Sequence, residues 1–203
     1  MQRIGLLGGT FNPPHQGHLK LAEVSLHALG LDEVRFIPNA TPPHKAETGP
    51  GPEGRLRLLE AALEETGLPF RVEPVELQRG GLSYTVDTLE ALTAAKPGKA
   101  WIFLVGSDQL AGFAKWRRPE RILELVSLAV APRPGYESDE LPELLQGRTR
   151  PQWSGQAGEL VWVPGTDLDL ASRVLREDLS RGIAPDGIPP QVMAAILREN
   201  QYR

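Results

Sequence analysis

Residues 8–18 read GGTFNPPHQGH, placing two of the chain's four histidines, His15 and His18, three positions apart behind a glycine pair. Gly8, Gly9 and Thr10 close an apolar run, and a helix is expected from Gln16 or Gly17, so the stretch is where a strand hands over to a helix. Backbone without side chains, next to the free N–H groups of a helix start, favours an anion and above all a phosphate. Imidazoles three apart in the first helical turn project on one side. Two imidazole donors would then meet one phosphate chain, so the stretch reads as an anion cradle. Two bland readings stand beside this one. A glycine pair after a strand is commonly only a turn, and HxxH is also half of a zinc site, although no third ligand of suitable type lies nearby. The P-loop pattern GxxxxGK[ST] is absent, and GxGxxG fails because prolines and histidines fill its second half.

Other residues with chemical potential are scattered along the chain. His44 and Lys45 follow a proline pair in PPHK, ahead of AETGPGPEG (46–54), which reads as a mobile loop that could close over them. In SYTVDT, Thr85 is expected at a helix N-cap with Asp87 in the first turn, and the same free N–H groups could hold a carboxylate. Trp116 is flanked by Lys115, Arg117 and Arg118, which favours the edge of a site over the core. Asp108 in VGSDQL follows a strand, where it either accepts ribose hydroxyls or caps the next helix. Arg133 in RPG follows another. His27 sits near its helix C-terminus, where an imidazole suits the dipole, and is read as structural.

What must position these residues is an alternation of strands and helices. Short runs rich in Val, Ile and Leu at 3–9, 33–39, 70–77, 99–107, 125–133 and 159–165 are mostly followed by Gly or Pro. Between them, segments such as GHLKLAEVSLHALG place Leu19, Ala22, Leu26 and Leu29 on one helical face and stop at a glycine. Runs apolar on both faces with crossover helices predict an α/β fold, a doubly wound (Rossmann-like) parallel sheet with terminal helices. Residues 1–203 are read as a single domain, with 166–203 a helical C-terminal end. Residues 134–158 mix a short helix with loop. Ligands of such sheets bind outside the carboxyl ends of the strands, where the loops named above should gather.

Composition narrows the classes. The chain has no cysteine, which removes disulfides, thiolate metal sites and thiol nucleophiles together. A formal charge of −4 and a pI near 5.6 give no global field for nucleic acid. With no apolar run near the roughly 18 residues of a membrane span, and no signal-like start, a cytoplasmic protein without nucleic-acid or membrane partners is expected.

GGTFNPPHQGH resembles the (H/T)xGH signature of the nucleotidyltransferases that share it with class I aminoacyl-tRNA synthetases. More closely, the chain is similar to the bacterial nicotinate-nucleotide adenylyltransferases. PNATPPHK (38–45), SYTVDTL (83–89), VGSDQLAGFAKW (105–116), APRPG (131–135) and the closing RGIAPDGIPPQV resemble that family's blocks in its order. The resemblance implies transfer of AMP from ATP to nicotinate mononucleotide, with pyrophosphate leaving, in NAD biosynthesis. It implies Mg²⁺ travelling with ATP and no dedicated protein metal ligands.

By the same resemblance His15, His18 and Lys45 are catalytic, His18 foremost. ATP and its phosphates fall to Gly8, Gly9, Thr10 and Phe11 with the two histidines, to Gly106, Asp108 and Arg133, and to Ser172 and Arg176. The nicotinate nucleotide falls to His44, Lys45, Tyr84, Thr85, Asp108, Trp116 and Arg117, with the Trp116 ring stacked on the pyridine and N–H groups holding its carboxylate. Such donors disfavour nicotinamide, whose amide turns hydrogens toward them. One block departs from the family: where ISSTxIR is usual, 170–176 reads LASRVLR, so Arg173 either adds a charged contact or points to solvent. An enzyme using the nicotinamide nucleotide, or both, is the nearest rival, and a silent nucleotide sensor is the rival from another class. Oligomeric state is left open, a homo-oligomer included.

Overall fold

A computed structural model describes residues 1–41, 49–133, 141–165, 170 and 172–202. Its centre is one sheet of six parallel strands: β1 (Arg3–Gly9), β2 (Glu33–Pro38), β3 (Phe70–Val72), β4 (Ala100–Gly106), β5 (Ser127–Ala131) and β6 (Leu160–Trp162). The spatial order is β3-β2-β1-β4-β5-β6, every pair parallel. The order reverses between β1 and β4, so their carboxyl ends open a crevice at the switch point of the sheet. Gly8 and Gly9 end one of these strands and Gly106 the other.

The strands alternate as a sheet buried on both faces requires. In β4, Ala100, Ile102 and Leu104 join the core on one face, while Trp101, Phe103 and Val105 join the other. The first face is covered by α1 (Gln16–Leu29) and α2 (Pro52–Glu64) through Leu21, Ala22, Leu26, Leu59 and Leu63. The second is covered by α4 (Thr85–Ala95) and α5 (Pro119–Leu125) through Val86, Leu89, Ile122 and Leu123. A third cluster packs α2 against the closing helices α6 (Ser172–Ser180) and α7 (Pro190–Arg198), with Leu58, Leu175, Val192 and Ile196 at its centre. The C-terminal helices are thus fastened beside the site end of α2.

Several boundaries differ from expectation. The run 70–77 pairs only through Val72; Pro74 then starts a short helix, α3 (Val75–Arg79), because its backbone cannot donate to a ladder. Of the 46–54 segment, Pro52 is already in the first turn of α2, where its missing N–H costs nothing. Residues 46–48 lie outside the described residues. The short helix expected within 134–158 is one 3₁₀ turn at Glu143–Leu145. The first terminal helix starts at Ser172. None of the described helices is long and apolar enough to cross a membrane.

Candidate active site

At the end of β1 the chain turns through Gly8 and Gly9 into Phe11, whose φ of 47° is left-handed and costly for an aromatic residue. The Phe11 ring is buried, and a Cβ on Gly9 would stand 3.1 Å from it and push against it. Buried Arg55 of α2 donates to the carbonyls of Thr10, Asn39 and Ala40 at 2.7–2.8 Å, tying the loop after β1 to the loop after β2. Asn39 Nδ2 adds a bond to Thr10 Oγ1 at 3.2 Å.

His15 caps α1 and His18 lies in its first turn, with their rings stacked at 3.7 Å. The His15 backbone N–H donates to His18 Nδ1 at 3.3 Å. A nitrogen that accepts carries no proton, so a neutral His18 holds its hydrogen on Nε2 as a donor. The Phe11 ring meets His18 edge-on at 5.0 Å and fixes its tilt. Gly17 lets the rings sit close to the backbone: a Cβ there would lie 3.1 Å from the His15 ring, which would have to shift. His15 itself is 3% exposed, and its Nε2 lies 3.1 Å from Ser172 Oγ on α6. Burial, aided by the Arg133 guanidinium, lowers its pKa to about 4, so the ring is neutral near pH 7.

Across the crevice, β4 ends at Gly106 and a 3₁₀ helix begins (Ser107–Lys115). Arg133 Nε lies 3.3 Å from Asp108 Oδ1, and the Arg133 N–H donates to Ser107 Oγ at 2.9 Å, joining the loops after β4 and β5. Trp116 closes the 3₁₀ helix, tilted on Phe113 at 5.3 Å and edge-on to Phe103 at 6.2 Å. Beside it starts α4, whose first N–H groups have no partner within the helix. Its N-cap is Tyr84 and not Thr85, which is the first helical residue: Asp87 N–H already bonds Tyr84 O at 3.1 Å. Arg117 sits over the Tyr84 ring at 4.6 Å and 3.4 Å from Asp87, bracing that turn from outside.

These loops enclose a cavity of about 520 Å³ at the switch point. It brings together Gly8, Gly9, Thr10, Phe11, His18, Thr85, Gly106, Asp108, Trp116, Arg133, Ser172 and Arg176 from the sequence reading. It does not bring in His15, Tyr84 or Arg117. Contrary to the expectation that both imidazoles face the ligand, His15 stands behind His18 because α6 covers it. Arg173 also points away from the cavity, 3.6 Å from Glu177 and largely exposed. His44 and Lys45 lie outside the described residues. His27 is exposed in the last turn of α1, as a structural residue would be.

The cavity also takes in polar residues that the sequence reading does not single out, among them Asn12, Asn39, Arg55, Glu76 and Thr88. Asn39 follows the second strand directly and could have been found there. Arg55 alternates with Arg57 on a charged helix start, which hides it. Glu76 fell in a stretch read as strand; its carboxylate is buried and accepts the Thr88 hydroxyl at 2.7 Å. Among the described residues no cluster of three His, Asp or Glu side chains could hold a metal ion.

Residues 6–181 match the cytidylyltransferase-like family model. A protein of Bordetella avium is 40% identical over 203 residues, covering 98% of this chain and 97% of its own. One of Bacillus pumilus is 41% identical over 201 residues, covering 98% and 97%. Both carry the name "Probable nicotinate-nucleotide adenylyltransferase". Among solved structures, nicotinic acid mononucleotide adenylyltransferase of Plasmodium falciparum complexed with NaAD superposes with a TM-score of 0.79 over 98% of this chain and 97% of its own, at 15% identity. That likeness speaks for the fold, and the sequence relatives speak for kinship: the chain belongs to the nicotinate-nucleotide adenylyltransferase family of cytidylyltransferase-like proteins.

Proposed function

We propose that this cavity transfers the AMP part of ATP to nicotinate mononucleotide, giving nicotinate adenine dinucleotide and pyrophosphate. The observation that carries the reading is His18, held with Nδ1 on a backbone N–H at the rim of a glycine cradle. A phosphate oxygen of the mononucleotide bonds to the α-phosphorus while the bond to the bridging oxygen breaks, and pyrophosphate leaves with that electron pair. A phosphate monoester loses its second proton near pH 6, so the nucleophile needs no base. The chain's task is alignment and neutralisation of charge. His18 Nε2–H donates to a non-bridging oxygen of the α-phosphate, and Arg176 and Ser172 stand along the triphosphate. His15 holds His18 from behind, and His44 and Lys45 are assigned to the substrate phosphates. Mg²⁺ is read as part of the substrate, arriving on ATP.

The nicotinate end is placed between Trp116 and the start of α4. Its ring lies on the indole, and its carboxylate takes N–H groups at Thr85 and Arg117. Asp108 accepts ribose hydroxyls. Chromatography of products from Mg-ATP and nicotinate mononucleotide tests the reading with the wild-type chain and His18→Ala. The wild type should form the dinucleotide with one pyrophosphate each. The variant should bind Mg-ATP normally and turn over about 10²–10³-fold more slowly. A wild-type chain that binds ATP and forms no dinucleotide would be a sensor and not this enzyme.

A further inference from the structure

After α7 the chain reverses. Asn200 has φ 52°, and the N–H groups of Asn200 and Gln201 donate to Leu197 O at 3.3 Å and Ile196 O at 3.1 Å. Two such bonds around a left-handed residue close a helix in a Schellman motif and send the following residues back along it. Gln201 Nε2 donates to Glu199 Oε2 at 2.7 Å, and Glu199 pairs with Arg57 of α2 at 2.8 Å. The reversal delivers Tyr202 beneath the phosphate cradle. Its hydroxyl donates to Asn12 Oδ1 at 2.5 Å, across 190 positions of sequence.

Asn12 is gripped a second time, because Arg176 Nη1 donates to its main-chain carbonyl at 2.8 Å. Both of its carbonyls therefore receive donors from the C-terminal segment. Asn12 is 8% exposed and lines the cavity, next to Phe11, whose ring sets the tilt of His18. Tyr202 does not line that cavity. Its ring instead fills the space beside Gly49, where a Cβ would come within 2.7 Å of Tyr202 Cε1 and where φ is +92°. Burial pushes the phenol's pKa up, which keeps the hydroxyl protonated as a donor. Tyr202 also holds a left-handed φ of 66°, a conformation that a residue of this size keeps only where its surroundings hold it.

We infer that Tyr202 is a positioning residue for adenylyl transfer: by holding Asn12 it sets the wall on which the ATP phosphates lie, without touching substrate. The inference rests on the proposed reaction.

The test compares Tyr202→Phe with Arg57→Ala, which loosens the same tail at its Glu199 anchor but leaves the Asn12 contact in place. Calorimetric Kd for Mg-ATP, the KM of each substrate and the Tm are measured for both variants and the wild type. Tyr202→Phe should weaken Mg-ATP binding and raise its KM about five- to tenfold, with the KM for nicotinate mononucleotide within twofold of wild type. Arg57→Ala should lower Tm at least as much while leaving the Mg-ATP constants within twofold. Unchanged Mg-ATP constants in Tyr202→Phe, or equal losses in the two variants, would overturn the inference. A wild-type chain that binds Mg-ATP but makes no dinucleotide removes the reaction instead, and the calorimetric comparison still decides the role of Tyr202.

Discussion

His15 Nε2 lies 3.1 Å from Ser172 Oγ, a contact that joins the first turn of α1 to the first residue of α6 across 157 positions. It makes the helical C-terminal end a wall of the active site, and it explains why one of the two signature histidines is buried while its neighbour is not.

That burial has a measurable consequence. His15 titrates near 4 in the folded chain, against 6.5 unfolded, so between these values the unfolded chain binds the extra proton. Stability from the neutral ring is therefore complete above pH 6.5, declines as pH falls toward 4 and is level below that. The full difference is on the order of 3 kcal/mol. Urea melts at pH 7.5 and pH 5.0 should show the wild type losing about 2 kcal/mol more than His15→Gln, which has nothing to titrate there. Equal losses would show that the ring is not held neutral.

Gly106→Ala is expected to damage nucleotide binding more than folding. Its Cβ would stand 2.3 Å from Asp108 Oδ1 and 2.6 Å from Arg133 Nε, and both groups must move. Such crowding costs about 1–3 kcal/mol. Initial rates should show KM values raised about tenfold, the equivalent of about 1.4 kcal/mol, while the variant still melts cooperatively.

Trp116→Leu separates the two substrates. Loss of an aromatic stacking platform costs about 1–3 kcal/mol per ring. The KM for nicotinate mononucleotide should accordingly rise about 10- to 100-fold, with that for Mg-ATP nearly unchanged. A matching rise for ATP would place the adenine, not the pyridine, on the indole.

What could be read in advance follows from how locally each feature is encoded. The strands show because each is a short apolar-rich run bounded by turn residues, most plainly AWIFLVG (100–106), which is buried throughout. The cradle shows because its strand, glycines and helix start are contiguous. The burial of His15 does not, since it depends on Ser172 arriving from the far end of the chain. Arg55 looks like a solvent-facing helix residue next to Arg57, yet it is 3% exposed because three loop carbonyls converge on its guanidinium. Thr85 was expected as the cap by residue type, whereas Tyr84 takes the position because its extended backbone supplies the first helical carbonyl. Contacts between distant segments set the burial of His15 and of Arg55, and a local pattern carries no record of them.

The most direct test of the account is the initial rate of dinucleotide formation from Mg-ATP with nicotinate mononucleotide and, in parallel, with nicotinamide mononucleotide. Carboxylate recognition by N–H groups beside Trp116 predicts a kcat/KM at least 10²-fold higher for the nicotinate substrate. Comparable values for the two would contradict that recognition, and no dinucleotide from either would contradict the reaction itself.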